Sequence, residues 1–166
     1  MSRFVIALAL LAAGSSAVAQ TPITAAQLAD REAIRETMQK YVWTVDSLDA
    51  DGYVSVFTPD AVIDSNGAMS KGHDAIRKVV TALDARQAAN KAAGKPAGRL
   101  YHVISNERIE LTGKTTAIYR SYWQTMRKGE DGRYSAGGFG RSEDHLVKQR
   151  NGQWLIESRK LTVYTD

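Results

Sequence analysis

LYHVISNERIEL, residues 100–111, decides the fold, because here the chain turns from helical to strand-like patterning and keeps it to the end. Three further long segments of the same kind follow at about 115–127, 134–149 and 153–164. Thr112-Gly113, Glu130-Asp131-Gly132 and Asn151-Gly152 separate them as turns. Long strands joined by short turns predict an antiparallel meander.

The text before this meander is mostly helical. Thr24-Ala25-Ala26-Gln27 has the form of a capping box, with Thr24 as N-cap and Gln27 reaching back. Ile34, Met38, Tyr41, Val45 and Leu48 then recur at helical spacing, which makes one apolar stripe with Asp46 on its border. A short helix is expected at 50–57, stopped by Thr58-Pro59. Residues 61–65 and 68–71 read as a hairpin turned by Asn66-Gly67 and ended by Gly72. A third helix is expected at 73–90, with Ile76, Val79, Val80 and Leu83 as its buried face. The stretch 88–98 contains Gly94-Lys95-Pro96 and reads as a frayed helix end and loop. Helices first and a meander afterwards is the α+β pattern. The expected shape is a curved antiparallel sheet wrapped around N-terminal helices, a cone whose mouth can hold a ligand.

Residues 1–19 have the layout of a secretory signal: Arg3 as a basic start, an apolar run from Phe4 to Ala13, and Ala17-Val18-Ala19 as a small-x-small cleavage site. An apolar run this short falls below the roughly 20 residues that span a bilayer, so export to the periplasm or medium is expected rather than a stable membrane anchor. Residues 20–166 then form a single domain. The chain has no cysteine, which excludes disulfide staples, thiol catalysis and zinc-thiolate sites. A formal charge of +4, spread among acids, offers no stripe for nucleic acid. Three isolated histidines without ligand spacing imply no metal and no cofactor.

Alternation in the 100–111 strand puts Leu100, His102, Ile104 and Asn106 on one face and Tyr101, Val103, Ser105 and Glu107 on the other. Taken alone, His102 is better explained as a core histidine satisfied by a backbone carbonyl. Asp46 changes the weighting. An imidazole becomes an effective base when a carboxylate fixes its proton-bearing nitrogen and stabilises its cation. A carboxylate near a helix C-terminus, placed against the macrodipole and between Val45 and Leu48, implies a specific partner.

The motifs Asp30-Arg31-Glu32-Ala33-Ile34, Phe57-Thr58-Pro59-Asp60-Ala61, Lys71-Gly72-His73-Asp74-Ala75-Ile76, residues 41–46, 102–106 and 152–154, with the order of elements, resemble the SnoaL-like branch of the nuclear transport factor 2-like superfamily. That resemblance covers nearly the whole chain after residue 19 and implies a cone-shaped α+β barrel. Within the branch the pattern is most similar to scytalone dehydratase and hexachlorocyclohexane dehydrochlorinase, whose helix aspartate and strand histidine match Asp46 and His102. An arginine five residues after the last-strand tryptophan matches Arg159. Where the dehydrochlorinase has a basic residue before the aspartate, this chain has Tyr41. Where scytalone dehydratase has a second histidine, the nearest equivalents are Arg120 and Tyr122, so the chain resembles a one-histidine lyase. Cyclases of the branch carry a carboxylate on a later strand, which keeps Glu143 and Asp144 open. The dehydratase resemblance implies a homotrimer, while the wider superfamily also forms dimers.

The resulting expectation is a cofactor-independent lyase. His102, oriented by Asp46, would remove a proton from an aromatic or polycyclic small molecule, with loss of water, halide or a small aldehyde, and Arg159 or Tyr41 would stabilise the charge that develops. Tyr119, Arg120, Tyr122, Trp123, Asn106, Phe139 and Trp43 are the expected substrate contacts. His73 reads as a packing or capping residue, His145 as an exposed strand position, and Gly137-Gly138-Phe139-Gly140 as a site of sharp sheet curvature. The alternatives are an isomerase or cyclase using the same dyad, and a non-catalytic binding domain in which Asp46 and His102 are a structural pair.

Overall fold

The structure, a computed structural model, describes residues 22–129 and 132–164; the expected export signal at 1–19 lies outside them. Helix α1 (Ala25–Ser47) opens on the expected capping box: Gln27 N–H donates to Thr24 Oγ1 at 3.2 Å, and Thr24 N–H donates to Gln27 Oε1 at 2.9 Å. Its buried stripe is Ile34, Met38, Tyr41, Thr44 and Val45. Leu48, left-handed at φ 61°, ends it.

Helix α2 (Ala50–Val54), capped by Asp49 on Gly52 N–H at 2.9 Å, is shorter than the expected 50–57. Strand β1 (Phe57–Ser65) claims the remainder, because Phe57 pairs in parallel with Ile156 and its ring packs edge-on and tilted against Tyr41 and Tyr53. Pro59 lies inside this strand, in the interruption of register between Phe57 and Val62, where no ladder hydrogen bond is required of it. Asn66 and Gly67, with φ of 49° and 90°, turn β1 into β2 (Ala68–Lys71) as a primed hairpin. Helix α3 (Gly72–Ala92) outlasts the expected end at 90; Ile76 and Val80 are buried, Val79 and Leu83 half-buried.

Strands β3 (Leu100–Leu111), β4 (Thr116–Lys128), β5 (Tyr134–Lys148) and β6 (Trp154–Val163) form the meander. The sheet order is β2-β1-β6-β5-β4-β3, antiparallel throughout except for the parallel β1–β6 pair. That pair departs from the all-antiparallel expectation. It puts Phe57, Ala61 and Ile63 in one core with Trp154 and Ile156 under α1. The end strands β2 and β3 do not pair, so the sheet is a curved, unclosed half-cone.

Bulges decide which side chains face inward. In β3 the register slips between Ser105 and Arg108, with Asn106 left-handed at φ 53°. In β6 the slip falls at Glu157, between the pairs Leu146–Ile156 and His145–Ser158. In β5, Gly137 and Gly138 fill the slip opposite Thr125, which bends the sheet at the glycine run.

Candidate active site

Helix α1 and strand β3 meet at Asp46 and His102. Asp46 Oδ1 lies 2.6 Å from His102 Nδ1, and Asp46 Oδ2 accepts the His102 backbone N–H at 2.9 Å. A carboxylate only accepts, so Nδ1 carries a proton, and in the neutral ring the lone pair is then on Nε2. Arg99 steadies the same corner, donating from Nη2 to the Asp46 carbonyl at 3.4 Å.

His102 lines a cavity of about 110 Å³ together with Tyr41, Ser65, Ile104, Trp123, Arg159, Leu161 and Val163. An apolar cavity of about 150 Å³ is known to take one benzene, so this one has room for a small group rather than a whole polycycle.

A buried polar stack supports it. Arg159 Nη1 donates to Asp144 Oδ1 at 2.6 Å, and Ser142 Oγ donates to Asp144 Oδ2 at 3.1 Å. Arg159 and Asp144 are 2 % and 0 % exposed, so each is affordable inside the protein only because of the other. Burial opposes the Arg159 charge, but Asp144, Tyr41 and Tyr53 outweigh it and hold the guanidinium above its ordinary range. Burial pushes the Asp144 carboxyl up, with Arg159 and Ser142 working against that rise. The guanidinium carbon sits 4.1 Å from the centre of the Tyr41 ring, a cation–π contact. Behind it lies Tyr53, its ring centre 5.2 Å from that of Tyr41 and its phenol pushed well above its ordinary range by burial.

Of the expected site residues, Tyr41, His102, Trp123 and Arg159 line this cavity, with Asp46 directly behind His102. The other expected substrate contacts are placed elsewhere. Adjacent strand residues point to opposite faces, so with Trp123 inward, Arg120 and Tyr122 lie outward. Arg120 pairs there with Glu143 at 2.7 Å and Glu110 at 3.1 Å. Tyr122 and Phe139 stack on each other on the same outer face, ring centres 5.9 Å apart and nearly parallel. Asn106 lines that outer groove because its left-handed bulge breaks the alternation that would have aligned it with His102.

Tyr119 faces inward but lies about 13 Å along the strand from Trp123, at about 3.3 Å per residue. Its phenol, raised to about 12 by burial and by Glu107, belongs to the core and to a cleft between α1 and β3. Trp43, 75 % exposed, lines that cleft too.

The remaining titratable candidates separate in the same way. Glu143 and His145 contact each other at 3.3 Å on the outer face, whereas Asp144 between them points inward to Arg159. His73 Nε2 lies 3.1 Å from the Phe57 carbonyl oxygen and ties α3 to β1. Among the described residues no three His, Asp or Glu side chains gather as metal ligands would, and no helix is long and apolar enough to cross a membrane.

Ser65, Ile104, Leu161 and Val163 complete the cavity and were not singled out from sequence. Alternation from Arg159 along β6 could have found Leu161 and Val163. Ser65 reaches the site only through the parallel pairing of β1 with β6, which puts it beside Leu161.

Comparison with known proteins agrees with this architecture. Three solved structures from Novosphingobium aromaticivorans superpose on the chain. One is a nuclear transport factor 2-like protein with a cystatin-like fold (TM-score 0.69, 23 % identity, covering 82 % of each chain). Another is a proposed aromatic ring hydroxylase (0.68, 27 %, covering 89 % of this chain and 94 % of that one). A third is a proposed scytalone dehydratase (0.68, 22 %, covering 84 % and 87 %). A search of curated proteins finds no match. The SnoaL-like domain family matches residues 26–160, nearly all of the described structure, and the chain therefore belongs to the SnoaL-like branch of the nuclear transport factor 2-like superfamily.

Proposed function

We propose that the protein is a cofactor-independent lyase acting on an aromatic small molecule. The observation that carries this reading is the two-point hold of Asp46 on His102, which leaves Nε2 as the free ring nitrogen of a residue lining the cavity. In the reaction, His102 Nε2 takes a proton from a substrate carbon. The C–H electron pair becomes a new double bond as the bond to the leaving group breaks, and the imidazolium can return its proton to departing hydroxide. Halide would leave without that proton, and retro-aldol loss of an aldehyde would begin instead at a hydroxyl. The cation of Arg159 beneath Tyr41 supports the negative charge that develops. The enzyme would work as an exported homo-oligomer.

The SnoaL-like membership is compatible with this chemistry and equally with isomerases and cyclases, which differ in having no leaving group. The test is mass spectrometry of hydroxylated, halogenated and diaryl aromatic compounds after incubation with wild-type protein and with His102→Ala. Loss of a defined fragment with the wild type alone is the expected result. A rearranged product of unchanged mass would convert the reading to an isomerase, and no wild-type-specific change across the panel would overturn it in favour of a binding domain.

A further inference from the structure

The outer face of the sheet carries an aromatic cluster and unmatched positive charge that the His102 cavity does not use. Tyr122, Phe139 and Tyr164 are all exposed there. The Phe139 ring lies parallel to Tyr122 at 5.9 Å between centres and tilted against Tyr164 at 5.5 Å. The Tyr164 backbone N–H donates to the Phe139 carbonyl at 2.9 Å, which fixes Tyr164 beside the other two rings. Apolar side chains gathered in one exposed patch mark a binding surface.

Strand register places the charges. Arg108 faces Arg120, Arg120 faces Glu143 and Glu143 faces Lys160, so one row crosses four strands. In the next row Arg141 stands between Tyr122 and Thr162. Arg120 is matched by Glu110 and Glu143. Among the described residues the side chains of Arg108, Arg141 and Lys160 have no ion-pair or hydrogen-bond partner. Like charges crowded on neighbouring strands repel, so three unmatched cations in one groove attract an anion.

The four cations and Tyr122 line a groove of about 550 Å³. Tyr122, Phe139 and Tyr164 line a recess of about 510 Å³ that meets the groove at Asn106 and Tyr122. Small-molecule sites span roughly 300–1,000 Å³, so either volume is sufficient for a ligand of one or two rings.

We infer that this groove is a second small-molecule site, and that its ligand is an aromatic carboxylate whose ring packs on Tyr122, Phe139 and Tyr164 while its anion meets Arg141. Arg141 is the register partner of Tyr122, so a guanidinium able to grip both carboxylate oxygens stands directly beside the ring cluster. Arg108 and Lys160 add attraction from the two ends of the groove. A second copy of the chain fits this face less well, because a two-fold contact would set the same cations against themselves, with Glu110 and Glu143 already committed to Arg120. The inference is independent of the lyase reading, since no residue of the groove lines the His102 cavity.

Isothermal titration calorimetry of the full-length protein with naphthoate and with its uncharged isostere naphthamide tests the site. Naphthoate is expected to bind and naphthamide to bind at least about tenfold more weakly, because the charge-assisted hydrogen bonds are lost. Raising salt from about 50 mM to about 500 mM should weaken naphthoate binding and leave naphthamide binding unchanged. Arg141→Gln should erase the preference for naphthoate, and Tyr122→Ala should weaken both ligands. Both side chains are exposed, so both variants should unfold at the wild-type denaturant midpoint; should either not fold, the ligand pair and the salt series on wild type decide alone. His102→Ala should bind naphthoate as wild type does. Equal affinity for the two ligands, naphthoate binding lost in His102→Ala or unchanged in Arg141→Gln, or no binding at millimolar concentration would each overturn the inference. A wild-type dimer in sedimentation that ignores naphthoate and dissociates in Tyr122→Ala would also overturn it, and would give the face to a second copy.

Discussion

Asp46 holds His102 at two points, Oδ1 on the ring at 2.6 Å and Oδ2 on the backbone amide at 2.9 Å. The first contact selects the tautomer and orients the imidazole. The second pins the strand from which it projects, so rotation of the ring and displacement of its backbone are restrained by one carboxylate. Helix α1 thus sets the position of a side chain on an edge strand that has no neighbour on its outer side.

Asp46→Asn should therefore lower turnover by about 10²–10⁴, the usual worth of a positioned base, because an amide cannot accept at both points. Asp46→Ala should also cost about 1–3 kcal/mol in denaturant unfolding, as the partly buried His102 amide loses its acceptor. Wild-type turnover in the Asn variant would remove the dyad from the mechanism.

The Arg159–Asp144 pair gives a second prediction. Asp144→Asn leaves a guanidinium buried without its counter-charge and should cost about 3–5 kcal/mol in chemical denaturation. Replacing both, as Asp144→Leu with Arg159→Met, should recover much of that stability, because two buried charges disappear together. Turnover should not return with it if Arg159 serves the site.

These relationships were unequally legible in the sequence. Thr24 with Gln27 and Asn66 with Gly67 act locally, and both motifs form where their residues require. Asp46 and His102 were legible as chemical types whose placement is otherwise hard to explain. The inward or outward sense of Asn106, Tyr122 and Phe139 was not, because strand phase is reset at each bulge and bulges answer to cross-strand partners. Ser65 was hidden for a similar reason: its neighbour Leu161 lies in a distant strand reached by the parallel pairing. Asp144 could be read as a candidate carboxylate, but its role as the counter-charge of Arg159 depends on the Asp144–Arg159 register.

Acid sensitivity should trace in part to Asp30, which accepts from Lys148 Nζ at 2.6 Å and from Trp154 Nε1 at 3.1 Å. The Lys148 hydrogen bond, opposed by burial and aided by Trp154, holds its carboxyl below the ordinary 3.8. A depressed folded-state value means that the stabilisation is present above the unfolded value and lost as pH falls through the folded one. Wild type should exceed Asp30→Asn by about 1 kcal/mol at neutral pH. That gap should begin to close below pH 3.8 and vanish beneath the depressed value, as read by unfolding at a series of pH values. A gap constant down to the lowest pH would refute the assignment.

The glycine strip under Trp123 should show a graded response to an added methyl group. At Gly140 a Cβ would meet the Thr162 carbonyl oxygen at 2.0 Å and Trp123 Cζ2 at 2.8 Å, so both a neighbouring backbone and the indole must move. At Gly138 the first contact is Trp123 Cζ3 at 3.2 Å, which a small tilt of the ring can relieve. Gly140→Ala is thus expected to cost more than the roughly 1–3 kcal/mol of ordinary overpacking, and Gly138→Ala to stay within or below that range. Thermal unfolding ranks the two variants. If Gly138→Ala alone displaces the indole, its fluorescence should change while β5 stays paired, whereas equal losses at both positions would mean that the strip serves sheet curvature and not the placement of Trp123.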